Sequence, residues 1–115
     1  MLPVQNGGDR VIDYYITGYF GNGIGVRKVT GNRFECCGQW WYYKVVEDHG
    51  KKFYEVTIPE NGFHLITKSR LKDAKQWITE NFDMIVGKLS TDEWKRNALR
   101  FEEMVKEYDE RSENS

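Results

Sequence analysis

The sequence predicts one α+β domain in which an antiparallel β meander of four to six short strands precedes two α-helices. Between residues 40 and 58, large apolar residues alternate with a period of two, as they do in half-buried strands. After Ser69 the period changes to 3.6, because one helix face collects Leu71, Ala74, Ile78, Phe82 and Ile85. A chain of 115 residues lies below the size at which cores usually divide, so a single domain is expected.

Turn chemistry divides the first half of the chain into strands. Glycine and asparagine tolerate the positive φ of tight turns, and they occur at positions 21–23, 31–32, 38, 50 and 61–62. Pro59 cannot donate a ladder hydrogen bond, so it ends a strand. The segments between these breaks predict strands over residues 11–20, 24–29, 33–37, 40–47, 52–58 and 63–66.

The two helices have recognisable start and stop signals. Ser69 is predicted to cap the first helix through its hydroxyl, and Gly87 is predicted to end it. The segment from Ser90 to Glu93 is typical of a capping box. The second helix then presents an apolar stripe of Trp94, Ala98, Phe101, Val105 and Tyr108. Residues 1–9 and 111–115 are predicted to fray.

Three glycines at positions 21, 23 and 25 are spaced like part of a dinucleotide-binding loop. That fingerprint requires a helix directly after the glycines, with its N-terminus facing the pyrophosphate. Strand-like residues follow here instead, so the sequence predicts a hairpin turn.

The two cysteines, Cys36 and Cys37, are adjacent. Neighbouring residues on a strand point to opposite faces of the sheet, and two cysteines alone do not complete a zinc site. We therefore expect reduced, structural thiols and no metal. Residues 1–8 lack the features of a signal peptide, and no apolar run approaches the ~20 residues of a membrane span. The expectation is a soluble protein in the reducing cytoplasm of a host cell.

Catalytic motifs are not found in the sequence. His49 and His64 are the two histidines, and neither accompanies a serine or cysteine in a recognisable nucleophile motif. We expect a protein that is not an enzyme and that needs no cofactor.

Charge is distributed unevenly along the chain. Residues 1–100 contain fifteen basic and twelve acidic side chains, whereas residues 101–115 contain two basic and six acidic ones. An acidic helix can fit a basic groove on a partner. The predicted partner-binding residues are Glu102, Glu103, Glu107, Asp109 and Glu110 as anionic contacts, with Tyr108 as an apolar anchor. The alternative is an ordinary solvated helix face.

An aromatic and basic β surface is the second candidate. Alternation places Trp40 and Tyr42 on one side of their strand. With Phe53, Lys44, Lys51 and Lys52, they form either part of the core or a surface that stacks bases or anchors a protein. A net charge of −1 makes direct binding of nucleic acid the less favoured option.

The segment of residues 50–81 resembles a pattern found in small proteins of phages and other mobile elements. It combines a hairpin strand, a turn, a short strand and a helix start that reads Leu71-Lys72-Asp73-Ala74-Lys75-Gln76-Trp77-Ile78. The resemblance implies a compact accessory protein, often an inhibitor that works by occupying a surface. Anti-CRISPR proteins are similar in size, acidity and lack of a catalytic set. The resemblance assigns no functional residue.

The resulting hypothesis is a non-enzymatic, anti-CRISPR-like inhibitor that binds a host protein or ribonucleoprotein of a nucleic-acid-handling defence complex, without contact to a membrane. A small nucleic-acid-binding module is the first alternative. A structural or assembly protein of a mobile element is the second. The sequence leaves the oligomeric state open.

Overall fold

Five antiparallel strands and two helices follow one another in a computed structural model, which describes residues 11–21 and 23–113. Each strand pairs with the next one in the chain, in the order β1-β2-β3-β4-β5. The elements are β1 Ile12–Tyr19, β2 Ile24–Cys36, β3 Gln39–Asp48, β4 Lys51–Thr57, β5 His64–Lys68, α1 Leu71–Leu89 and α2 Asp92–Glu113. The predicted α+β meander is therefore confirmed, with five strands.

Two hairpins turn through pairs of residues with positive φ. The β2–β3 turn uses Cys37 and Gly38, with φ of 57° and 78°, and the β3–β4 turn uses His49 and Gly50, with φ of 53° and 77°. Two consecutive left-handed residues match the right-handed twist of the flanking strands. The β1–β2 connection is also a turn, as expected, because Phe20 N–H donates to the carbonyl of Gly23 at 3.1 Å.

The prediction of a turn at residues 31–32 is wrong. β2 continues through it as one strand of 13 residues, and Gly31 pairs with Ile12 of β1. Gly31 is buried where strands crowd: a Cβ there would lie 2.4 Å from the carbonyl oxygen of Tyr43. Glycine is needed at this position because neighbouring backbone and side-chain atoms leave no room for a Cβ. A sequence pattern does not distinguish such a glycine from a turn glycine.

Helix α1 packs on one face of the sheet through the predicted residues. Ala74, Ile78 and Ile85 are buried, while Leu71 and Phe82 pack partly buried at the edge of the core. The strands contribute Phe34, Trp41, Tyr43 and Val56 to this core, together with Ile58 just after β4. Among the described residues, no helix is both long and apolar enough to cross a membrane.

The helix ends differ from the sequence predictions. Arg70, not Ser69, precedes α1, and it makes no side-chain cap. The helix also continues past Gly87 to Leu89, which packs partly buried against the core. Burial of an apolar side chain outweighs the cost of roughly 1 kcal/mol for glycine in a helix.

α2 begins after Thr91, whose hydroxyl accepts from the Trp94 N–H at 3.3 Å and so caps the helix. Ser90 instead donates to the Val86 carbonyl at the end of α1. α2 also includes residues 111–113, which the sequence assigned to a frayed tail. The predicted leader at residues 1–9 lies outside the described residues.

β1 curls over the other face of the sheet and meets the β4–β5 loop. The ring of Tyr14 stacks on that of Tyr42, with centroids 4.9 Å apart. Thr17 N–H donates to the Gly62 carbonyl at 2.8 Å, and the Thr17 hydroxyl donates to the Asn61 carbonyl at 2.7 Å. The first strand is thus tied to a loop between the last two.

Gly62 is the tightest point of this junction. Its φ is +72°, and a Cβ there would lie 2.6 Å from a ring carbon of Phe101 in α2 and 2.8 Å from Thr17 Oγ1. Real Cβ atoms essentially never approach so closely. A sheet edge, a loop and α2 therefore meet at a position that only glycine fits.

Gly62→Ala is expected to lower the free energy of unfolding by roughly 2–5 kcal/mol, because left-handed strain and overpacking add. Gly50→Ala is the matched control. Its φ is +77° but no atom lies within 4 Å, so only the backbone strain of roughly 1–2 kcal/mol applies. Urea denaturation of both variants measures the difference. Equal losses would contradict the tight junction.

Candidate partner-binding surface on the last helix

The inner side of α2 is anchored by aromatic contacts along its length. Trp94 meets Phe63 edge to face at 5.4 Å between centroids, and Tyr108 meets Tyr15 of β1 in the same way at 5.7 Å. Phe101 lies between them, against Gly62. The apolar stripe predicted from the sequence is therefore the side of α2 that packs on the domain.

Asp109 lies on this inner side as well. The Tyr15 hydroxyl donates a hydrogen bond to its carboxylate, and this bond is the main cause that raises the pKa of Tyr15 to about 12. Partial burial of the phenol adds to the shift. The sequence grouped Tyr108 and Asp109 with the partner-facing residues, whereas the structure engages both with β1.

The other four predicted residues form what we term the acidic strip: Glu102, Glu103, Glu107 and Glu110. All four are exposed on α2. Lys106 and Arg111 belong to the same helix, yet none of the four glutamates makes an ion pair within 4 Å in the described part of the chain. At 1.5 Å per residue, the strip is about 12 Å long. Its negative charge is directed to solvent.

A groove of about 660 Å³ lies between α2 and the β1–β2 hairpin, beside one end of the acidic strip. Apolar side chains line it from both sides: Phe20, Ile24 and Val26 from the hairpin, and Met104 and Tyr108 from α2. Glu107 and Arg111 also line the groove. A partner on the acidic strip would therefore find apolar surface directly beside the charges.

The aromatic and basic β surface is only partly assembled. Alternation places Trp40, Tyr42 and Lys44 on the sheet face opposite α1, but the Tyr42 ring is covered by Tyr14. Arg33 stacks its guanidinium over the Trp40 ring at 4.1 Å.

The remaining members of that surface lie near the β3–β4 turn. Phe53 is half-buried and pairs with Val46. Lys51 and Lys52 are exposed, but each pairs across the strands with an acidic residue, Asp48 and Glu47 respectively. Lys52 also points to the opposite face from Phe53, because adjacent strand residues alternate. The positive charges of Lys51 and Lys52 are thus largely offset by the acidic residues opposite them.

The two histidines lie in separate surroundings. His49 Nδ1 is 2.8 Å from Asp48 in the exposed β3–β4 turn, and His64 Nε2 is 2.7 Å from the Thr67 hydroxyl on β5. Neither histidine joins a nucleophile and a carboxylate in one cleft within residues 11–21 and 23–113. The absence of enzymatic activity stays a prediction. In the same residues, no cluster of three or more His, Cys, Asp or Glu side chains could hold a metal.

Comparison with protein-family models, with curated proteins and with solved structures finds no significant match to this chain. Tyr15 supports α2 beneath the acidic strip, and Arg33 covers Trp40 on the β surface. Neither residue was predicted from the sequence. Tyr15 lies 94 positions from Asp109, and no local pattern connects residues so far apart.

Asp109→Asn is expected to lower the pKa of Tyr15 from about 12 toward the ordinary 10, because the carboxylate no longer favours the protonated phenol. The folded pKa exceeds the unfolded one, so the bond stabilises the fold fully below pH 10 and this contribution is lost as pH rises through about 12. Ultraviolet titration of tyrosine ionisation measures the shift.

Tyr14 provides the internal control for this titration. Burial raises its pKa to about 12 independently of Asp109. Tyr14 should therefore stay in the high-pH step of both proteins, and the step should contain one tyrosine fewer in Asp109→Asn than in the parent. An equal number of tyrosines in the high-pH step of both proteins would show that Asp109 does not hold the Tyr15 hydroxyl.

Proposed function

We propose that this protein is a non-enzymatic inhibitor of the anti-CRISPR-like kind that phages and mobile elements encode. It blocks a host complex that handles nucleic acid, and the acidic strip of α2 contacts a basic surface on that protein or ribonucleoprotein. The observation that carries the proposal is that Glu102, Glu103, Glu107 and Glu110 are exposed and make no ion pair with any residue that the structure describes.

Charges of one sign on a helix surface have an energetic cost that supports a role in binding. Glu103 and Glu107 are four residues apart, and like charges at that spacing destabilise a helix by a few tenths of a kcal/mol. Lys106 and Arg111 do not relieve it by pairing with either residue. A basic partner would relieve this repulsion and gain steering in the encounter.

The anchoring of α2 keeps the acidic strip in one orientation. Tyr15 contacts both Tyr108 and Asp109, so the last turns of the helix cannot rotate without breaking a hydrogen bond and a ring contact. A pre-oriented surface loses less conformational entropy on binding than a mobile one. Complexes that handle nucleic acid expose basic grooves for the phosphate backbone, and a rigid anionic helix with apolar surface beside it can occupy such a groove.

Glu103→Lys combined with Glu107→Lys is expected to slow association with the target by about tenfold at low salt and to reduce inhibition. Each exposed change should alter stability by no more than about 0.5 kcal/mol. The assay is DNA cleavage by a panel of CRISPR effector complexes with and without the protein. Association rates are then measured on any complex that is inhibited.

Glu80→Lys with Asp83→Lys is the matched control, because both residues are exposed on α1 and the net charge changes equally. It should inhibit like the parent. Equal loss in both double variants would assign the effect to net charge. Full inhibition by the variant with Glu103→Lys and Glu107→Lys would show that the acidic strip is an ordinary solvated helix face that does not bind the target. Turnover of a small substrate, with no host protein captured, would contradict the inhibitor class.

A nucleic-acid-binding module is the second candidate, and one observation favours it. The guanidinium of Arg33 lies over Trp40, and its buried Nε has no hydrogen-bond partner among the described residues. Arginine and tryptophan together can stack single-stranded bases.

A gel shift with single- and double-stranded DNA and RNA at low salt separates the two candidates. We expect no shift, because Lys51 and Lys52 lie opposite the acidic Asp48 and Glu47 in the strand register and the chain is not basic. A shift that weakens with Lys51→Ala and Lys52→Ala, and that disappears steeply with salt, would replace the first candidate with the second.

A further inference from the structure

The two adjacent cysteines do not point to opposite faces, as their positions next to each other would suggest. Their sulfur atoms lie 3.8 Å apart. Cys36 ends β2, whereas Cys37 leaves the strand with φ of +57° as the first residue of the β2–β3 turn. The left-handed conformation redirects the Cys37 side chain, so both sulfurs approach α1 on the same side.

The surroundings hold the pair in place while leaving it accessible. Thr79 Oγ1 of α1 lies 3.5 Å from the Cys36 sulfur and 3.9 Å from the Cys37 sulfur. The Cys36 thiol also points at the Lys75 carbonyl, at 3.6 Å. Both thiols are free, Cys36 half-buried and Cys37 exposed. Beside them Gly38 has no atom within 4 Å of a Cβ position, so the approach from solvent is open.

The spacing disfavours a direct disulfide. Adjacent Cα atoms across a trans peptide are about 3.8 Å apart, which is shorter than the ~4.4–6.8 Å that disulfides normally span. The spacing suits a shared central atom much better. Two sulfurs bound at about 2.3 Å to one centre lie about 3.3 Å apart for a bond angle of roughly 90°, and about 3.8 Å apart for roughly 110°. The 3.8 Å between these two sulfurs lies at the upper end of that range.

We propose that Cys36 and Cys37 form a dithiolate site that chelates one soft, thiophilic metal or metalloid centre. Because two protein ligands converge among the described residues, the site suits a centre that brings its own remaining substituent, such as a mono-organo trivalent arsenical. The reaction with phenylarsine oxide is balanced: two S–H bonds and the As=O bond break, two As–S bonds form, and one water leaves. Arsenic remains trivalent, so no oxidant or reductant is required.

The test uses the reduced full-length chain and one equivalent of phenylarsine oxide. Because the chain contains two cysteines, free thiols should fall from two to zero, and mass spectrometry should show one phenylarsenic adduct. A 1,2-dithiol should release the adduct, whereas a monothiol at the same concentration should not. One thiol that stays reactive at equivalence would overturn the proposal without any variant.

Cys37→Ser combined with Glu35→Cys is the matched control. It keeps two adjacent thiols, but Glu35 is exposed on β2 and alternates to the face opposite Cys36. Chelation should weaken by about 100-fold or more, because the second sulfur no longer binds as an intramolecular ligand. Circular dichroism verifies the fold of this variant. Binding within tenfold of the parent would show that adjacency alone, and not the turn geometry, creates the site.

Discussion

The close packing around Gly62 is the constraint on which the arrangement of the domain depends. β1 is joined to β2 at one edge, and its other edge meets the β4–β5 loop through the Thr17 N–H. Phe101 of α2 packs against the same loop. One backbone position therefore fixes a strand, a loop and a helix that are far apart in the chain. Contacts of such large sequence separation carry the entropy cost of closing long loops.

The orientation of α2 follows from this junction and determines which carboxylates can meet a partner. Phe101 at Gly62 sets the middle of the helix, and Tyr108 and Asp109 on Tyr15 set its end. Asp109 consequently contributes its charge to a hydrogen bond inside the domain. The acidic strip lies on the outward side, where its side chains are hydrated and free to exchange water for a cationic partner. The contacts that hold α2 on the domain thus keep the Asp109 carboxylate in an internal hydrogen bond and leave the carboxylates of the acidic strip exposed to solvent.

Periodicity was sufficient to predict the class of the fold, a range of four to six strands and the core face of α1, because these depend on which residues are buried. It failed where a residue's role depends on a distant neighbour. Gly31 looked like a turn residue, but it provides room for Tyr43 of the adjacent strand. Gly87 looked like a helix end, but Leu89 beyond it reaches the core. Of the candidate site, helical spacing predicted the four exposed glutamates, whereas the contact of Tyr15 with Asp109 has no local signal.

The cysteine pair shows that periodicity can also fail between two adjacent residues. Strand alternation assigns neighbouring side chains to opposite faces only while φ stays in the β region. At Cys37 the type of turn that closes the hairpin imposes a left-handed residue, and the alternation is broken there. Turn residues therefore acquire side-chain directions that a periodic pattern does not contain. Turns also lie at the surface. The turn positions at which strand alternation does not predict the direction of a side chain are therefore positions that a ligand can reach.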